Sequence, residues 1–181
     1  MTKSKKIVAV LGVVAGLGAI AFPLTSYAAT QDVNITVGVD ETVAISVNNP
    51  SVSKNIATNA AIDESMTTTA TVTVNSSKGY KLSIYGSGDG TVANSLYRGA
   101  TTDAIPAGVP AQGQSYWGYK GGTTNTLKAV PLQASADLIK TTNEASTTGD
   151  QTLITFGVTA SVGQTPGSYT GKVTLSAVLN E

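Results

Sequence analysis

The chain contains no histidine and no cysteine. The first absence removes Ser-His-Asp catalysis, the Cys-His pair, His-ligated zinc and the His-carboxylate iron triad together. The second removes disulfide staples and the acylatable residue of a lipoprotein anchor. Charge is scarce too: Asp, Glu, Lys and Arg make up 12% of the 181 residues, against about 25% in ordinary globular domains. The formal charge of zero hides an asymmetry, because Lys3, Lys5 and Lys6 are three of the eleven basic residues; past residue 28, eight basic residues face eleven acidic ones, net −3. No basic stripe is left to displace phosphate counterions, so nucleic acid is not an expected partner. Helical periodicity over ten or more residues is missing after the first 28 positions, with at most a turn or two between Ile56 and Met66.

What is present begins with an export signal. Three lysines precede the uncharged apolar run Ile7 to Phe22, Pro23 breaks it, and Ser26-Tyr27-Ala28 forms a small-x-small cleavage site. Cleavage between Ala28 and Ala29 is expected. Sixteen helical residues reach roughly 24 Å, short of the roughly 30 Å hydrocarbon core, so a retained span is the weaker alternative and the only expected membrane contact. The remaining residues, 29–181, fit a single domain in a secreted or cell-surface location.

Period-two alternation dominates both ends of that domain. Val33, Ile35, Val37 and Val39 share one parity, as do Val43, Ile45 and Val47. Thr67 to Val74 puts Ala70, Val72 and Val74 on one face; Ser76 to Gly79 then reads as a hairpin turn into Tyr80 to Tyr85, with Tyr80, Leu82 and Ile84 inward. A final hairpin is expected from Ile154 to Leu179 about the turn Gly163 to Gly167, with Gly171 on the inward parity suggesting a bulge or a close approach. Shorter candidates lie at Tyr116 to Lys120, Leu127 to Leu132 and Asp137 to Lys140, and Gly121-Gly122 offers another turn. The pattern predicts an antiparallel immunoglobulin-like β-sandwich of about seven to nine strands. Few lysines guard the strand edges, so self-association is a natural expectation.

Signals for chemistry are weak. Asp40-Glu41 and Asp63-Glu64 are adjacent pairs, whose side chains point to opposite faces of a strand; both read as solvated turn charges rather than an acid-base couple. Ser51-Val52-Ser53-Lys54 matches Ser-x-x-Lys but sits in a turn after Pro50, with no accompanying motif. Gly86 to Gly90 holds one carboxylate where calcium wants several. No catalytic residue, metal site or cofactor is expected. Tyr116-Trp117-Gly118-Tyr119 holds the only tryptophan. It reads first as a core anchor and second as an exposed platform of Tyr116, Trp117 and Tyr119 that stacks on surface glycans or a protein.

Asp32-Val33-Asn34-Ile35-Thr36-Val37, with Val39-Asp40, resembles the mature N-terminal strand of cysteine-free major fimbrial subunits of the alternate chaperone-usher route. Pro166 to Leu175 resembles their closing strand, and equally the last strand of WxL-type and other small secreted bacterial surface domains. The resemblance implies a non-enzymatic structural or adhesive envelope protein, a pilus-like subunit among the options, whose partners are copies of itself or other envelope proteins. It further implies that Val33, Ile35, Val37 and Val39 would be the residues donated to a neighbour's sheet. The alternative is that the same four form the first strand of their own domain, which the complete-looking closing strand favours. A secreted carbohydrate- or ligand-binding module remains the competing function.

Overall fold

Residues 34–89, 92–99 and 103–181 are described in the computed structural model of the chain. The expected leader, its cleavage site at Ala28 and Ala29, and Val33 lie outside them. The chain divides into Met1–Gly38 and the compact unit Val39–Glu181. The second unit is all-β, and every ladder between its strands is antiparallel.

The β-branched residues that alternate with Thr and Ser favour a pleated, half-buried surface. Three strands built this way lie side by side: β1 (Val43–Val47), β2 (Asp63–Val74) and β9 (Ser146–Thr159). With β6 (Tyr116–Gly121) and β7 (Thr124–Ala129) they make a five-stranded sheet in the order β1-β2-β9-β6-β7. A second sheet has the order β10-β3-β8, from β3 (Tyr80–Gly86), β8 (Asp137–Thr141) and β10 (Val173–Leu179). Two short strands, β4 (Leu96–Tyr97) and β5 (Ala104–Ile105), pair by themselves.

One buried cluster draws on the inner faces of both larger sheets. Ala70, Val72 and Val74 of β2 and Ile154, Phe156 and Val158 of β9 meet Tyr80, Leu82 and Ile84 of β3. The parities expected from the sequence for β1, β2, β3 and β9 match these faces.

Two hairpins are corrected. The Ser76–Gly79 turn does not join paired strands: β2 pairs with β1 and β9, whereas β3 pairs with β10 and β8, so the turn carries the chain from one sheet to the other. Gly79 makes that crossing possible with a φ of +76°. The Gly163–Gly167 reversal likewise leads from β9 in the larger sheet to β10 in the smaller. Both strands of each supposed hairpin have an inner face to bury, and crossing lets those faces meet. The Gly121-Gly122 hairpin is present as β6–β7. Ile56 to Met66 forms no helix, and β2 begins at Asp63. Gly171 lies outside β10; a Cβ there would sit 3.1 Å from the Ser95 carbonyl oxygen, which is the close approach its parity suggested.

The first strand is also corrected. Asn34–Thr42 belongs to no strand, and β1 starts at Val43.

Candidate functional site

β1 and β10 are each last in their sheet, and their Cα atoms come within 8 Å of each other without a ladder between them. Residues directly opposite in an antiparallel ladder share a face. Val43, Ile45 and Val47 stand opposite Val74, Val72 and Ala70, and Leu175, Ala177 and Leu179 stand opposite Ile84, Leu82 and Tyr80. Both rows therefore point inward. Their partners are essentially fully buried, yet Ile45 and Val47 are each 37% exposed and Val173, Leu175, Ala177 and Leu179 are only half-buried. One strand in, the core is closed; at its outermost strands it is uncovered. The result is an apolar seam along one side of the domain.

The opposite side is fastened. There the Tyr119 hydroxyl of β6 donates to Asp137 Oδ2 of β8 at 2.7 Å, and Lys128 Nζ of β7 lies 3.7 Å from the same oxygen. A second cross-sheet cluster joins Asp150 of β9 to Lys140 Nζ at 2.6 Å and to the Tyr80 hydroxyl at 2.8 Å. Burial would raise the Asp150 pKa, but hydrogen bonds from Lys140 and Tyr80, with the lysine's charge, outweigh it and hold the carboxyl below the usual range.

Burial, then the hydrogen bond to Asp150 and its negative charge, push the Tyr80 phenol well above its ordinary value. Burial and Asp137 do the same to Tyr119. A phenol whose folded pKa is raised contributes stability below its unfolded value, near 10, and loses it as pH rises through the folded value. In an alkaline titration followed by phenolate absorbance, two tyrosines are expected to stay protonated beyond about pH 10 and to ionise only as the protein unfolds. Tyr119→Phe should leave one such silent phenol; ionisation of every tyrosine near pH 10 in the folded protein would contradict the assignment.

At one end of the seam the chain leading into β1 is clamped. Thr42 N–H donates to Asn75 Oδ1 at 2.6 Å, and Asn75 Nδ2 donates to the Asp40 carbonyl at 3.0 Å. Asn75 N–H reaches the Thr42 carbonyl at 3.3 Å. The hydroxyl of buried Ser76 donates to Glu41 Oε1 at 2.8 Å. The Asn75 carboxamide thus takes the place of one more ladder step beyond β2 and holds residues 40–42 in line with β1.

Ile35, Val37 and Val39 stand 82%, 79% and 83% exposed. The aromatic platform is corrected: Trp117 and Tyr119 are 5% and 2% exposed members of the core, and Tyr116 is half-buried with its ring against Gly108. A ring enclosed by the core has no free face for a sugar. Asp63 accepts from Ser65 and pairs with Lys54 of the Ser-x-x-Lys stretch at 3.5 Å, while Glu64 pairs with Lys120. These are structural contacts at a strand end. Asp89 is the one carboxylate of the Gly86 loop, and Gly90 lies outside the described residues. Among the described residues no group of three or more Asp or Glu is placed to hold a metal. A cavity of about 400 Å³ beside the β6–β7 turn is lined by Asn125, Gln151 and Thr152 and by Lys120 and Lys140, both already ion-paired.

No family model and no curated protein matches this chain.

Sequence reasoning marked β1 and β10 as strands with inward apolar rows but missed that those rows are half-covered, because parity gives direction and not cover. Asn75 lies between the expected strand ending at Val74 and the expected turn from Ser76, and no sequence signal marks its side chain as one that extends a ladder.

Proposed function

We propose that this chain is an exported, non-enzymatic structural subunit of the cell surface, an immunoglobulin-like β-sandwich that associates with copies of itself by strand donation. The observation that supports it is the seam. It offers inward apolar side chains at every second residue of β1 and of β10, and the segment before β1 carries Val33, Ile35, Val37 and Val39 at the same spacing. Same-face residues of a strand repeat about every 6.8 Å, so an inserted segment would meet the seam in phase. Burying Ile and Val side chains is worth about 1.5–3 kcal/mol each, and three or four of them, with added backbone hydrogen bonds, support association after its entropic cost. The ligand-binding alternative draws on Tyr116, Trp117 and Tyr119 with the Gly-rich middle loops; it is disfavoured because Trp117 and Tyr119 are buried and Tyr116 is half-buried.

Size-exclusion chromatography with light scattering tests this on the chain beginning at Ala29. Dimers and longer species that grow with concentration are expected, and removal of residues 29–39 or the change Ile35, Val37 and Val39→Ser should abolish them and leave a folded monomer whose thermal midpoint no longer depends on concentration. A monomer at every concentration, or assembly indifferent to those changes, would refute the proposal.

A further inference from the structure

A segment tethered beside its own acceptor competes with every other copy, and tethering through a short flexible link gives an effective concentration of order millimolar. At about 10 µM subunit the cis insertion should therefore win by about 100-fold, leaving a closed monomer, unless the link cannot make the turn. Resting on the strand-donation reading, we infer that the Asn75 carboxamide is the positioning element that forbids self-insertion and so commits the segment to a second copy of the chain.

The geometry carries this. Between Val39, the last residue of the alternating segment, and Val43, the first of β1, only residues 40–42 are available to reverse the chain. A segment returning along its own β1 or β10 needs that reversal. Those three residues are instead held in line with β1: Asn75 grips the Asp40 carbonyl and the Thr42 N–H with its side chain and the Thr42 carbonyl with its backbone, and Ser76 grips Glu41. A turn there would give up all four bonds. The clamp sits on the exposed end of β2 and not in the core; Asn75 and Glu41 are both exposed, so removing them spares the buried cluster.

Because the chain has no cysteine, a pair introduced at Val37→Cys and Ala177→Cys reports on the segment and the seam alone. The full chain carrying this pair, expressed with its leader, is treated with a short bis-maleimide at about 10 µM and run on a denaturing gel. The parent is expected to give a ladder of joined subunits. Adding Asn75→Ala with Glu41→Ala should convert the ladder to an internally bridged monomer, shifting the ratio by about 100-fold. Inserting about six Gly and Ser residues between Val39 and Asp40, which leaves the clamp intact but supplies a free reversal, should do the same. Ladders unchanged in both variants would overturn the clamp while leaving strand donation standing. A parent that is itself an internally bridged monomer would also overturn it. A parent that stays unbridged and monomeric would sink the donation reading and this inference with it.

Discussion

Trp117→Ala is expected to cost about 3–5 kcal/mol of folding free energy, the range for removing a buried large aromatic. The indole is 5% exposed, its ring centroid lies 6.3 Å from that of Phe156 at 31°, and its N–H donates to the Asn94 carbonyl at 2.9 Å. Truncation would lose that packing and leave the Asn94 carbonyl without its donor, so transfer, cavity and hydrogen-bond losses add. Against a total of about 5–15 kcal/mol for a domain, that is a large share. Urea unfolding should show a midpoint lowered with little change in slope, and Trp117→Phe should recover part of the loss. A cost under about 1 kcal/mol would mean that the ring is not a core element.

Gly118→Ala is the second large effect. Gly118 lies in the middle of β6, pairing with Gly157 on one side and Ala129 on the other. A Cβ at this position would run into the Lys128 carbonyl oxygen and stand 2.8 Å from the Gly108 carbonyl oxygen. Both obstacles are backbone, so relief requires β7 or the 106–108 segment to move. That segment is itself bonded to Trp117, through Trp117 N–H to the Pro106 carbonyl and Gly108 N–H to the Trp117 carbonyl. A cost of about 3 kcal/mol is expected, at the upper end for overpacking, together with faster amide exchange along β7. Unchanged stability would show that the hairpin relaxes freely.

The residues that made the strands legible were those whose alternation is apolar against polar: Val43, Ile45 and Val47; Tyr80, Leu82 and Ile84; Ile154, Phe156 and Val158. Each took the face that parity assigned. Partner choice was not legible, because a turn such as Ser76–Gly79 reads the same whether the next strand pairs with the last or crosses to another sheet. Length failed where polar residues entered a strand. β9 begins at Ser146, eight residues before Ile154, and those eight include Asp150, which binds Lys140 and Tyr80 across the sheets. Residues 146–153 alternate no hydrophobicity, so nothing announced them as strand. The Val33–Val39 alternation was legible as a pattern, but no sequence rule states whose sheet a well-patterned segment will join.

The wiring of the sheets bears on how the chain reaches its native state. β2 and β3 are adjacent in sequence, yet β2 finds one of its partners only past residue 145 and β3 finds one only past residue 172. Contacts of such sequence separation make folding slow, on the millisecond-to-second scale typical of all-β topologies. The five-stranded sheet is complete only once β9 has been made and the three-stranded sheet only once β10 has, so a nascent chain cannot bring both inner faces of its core together until its last strand arrives.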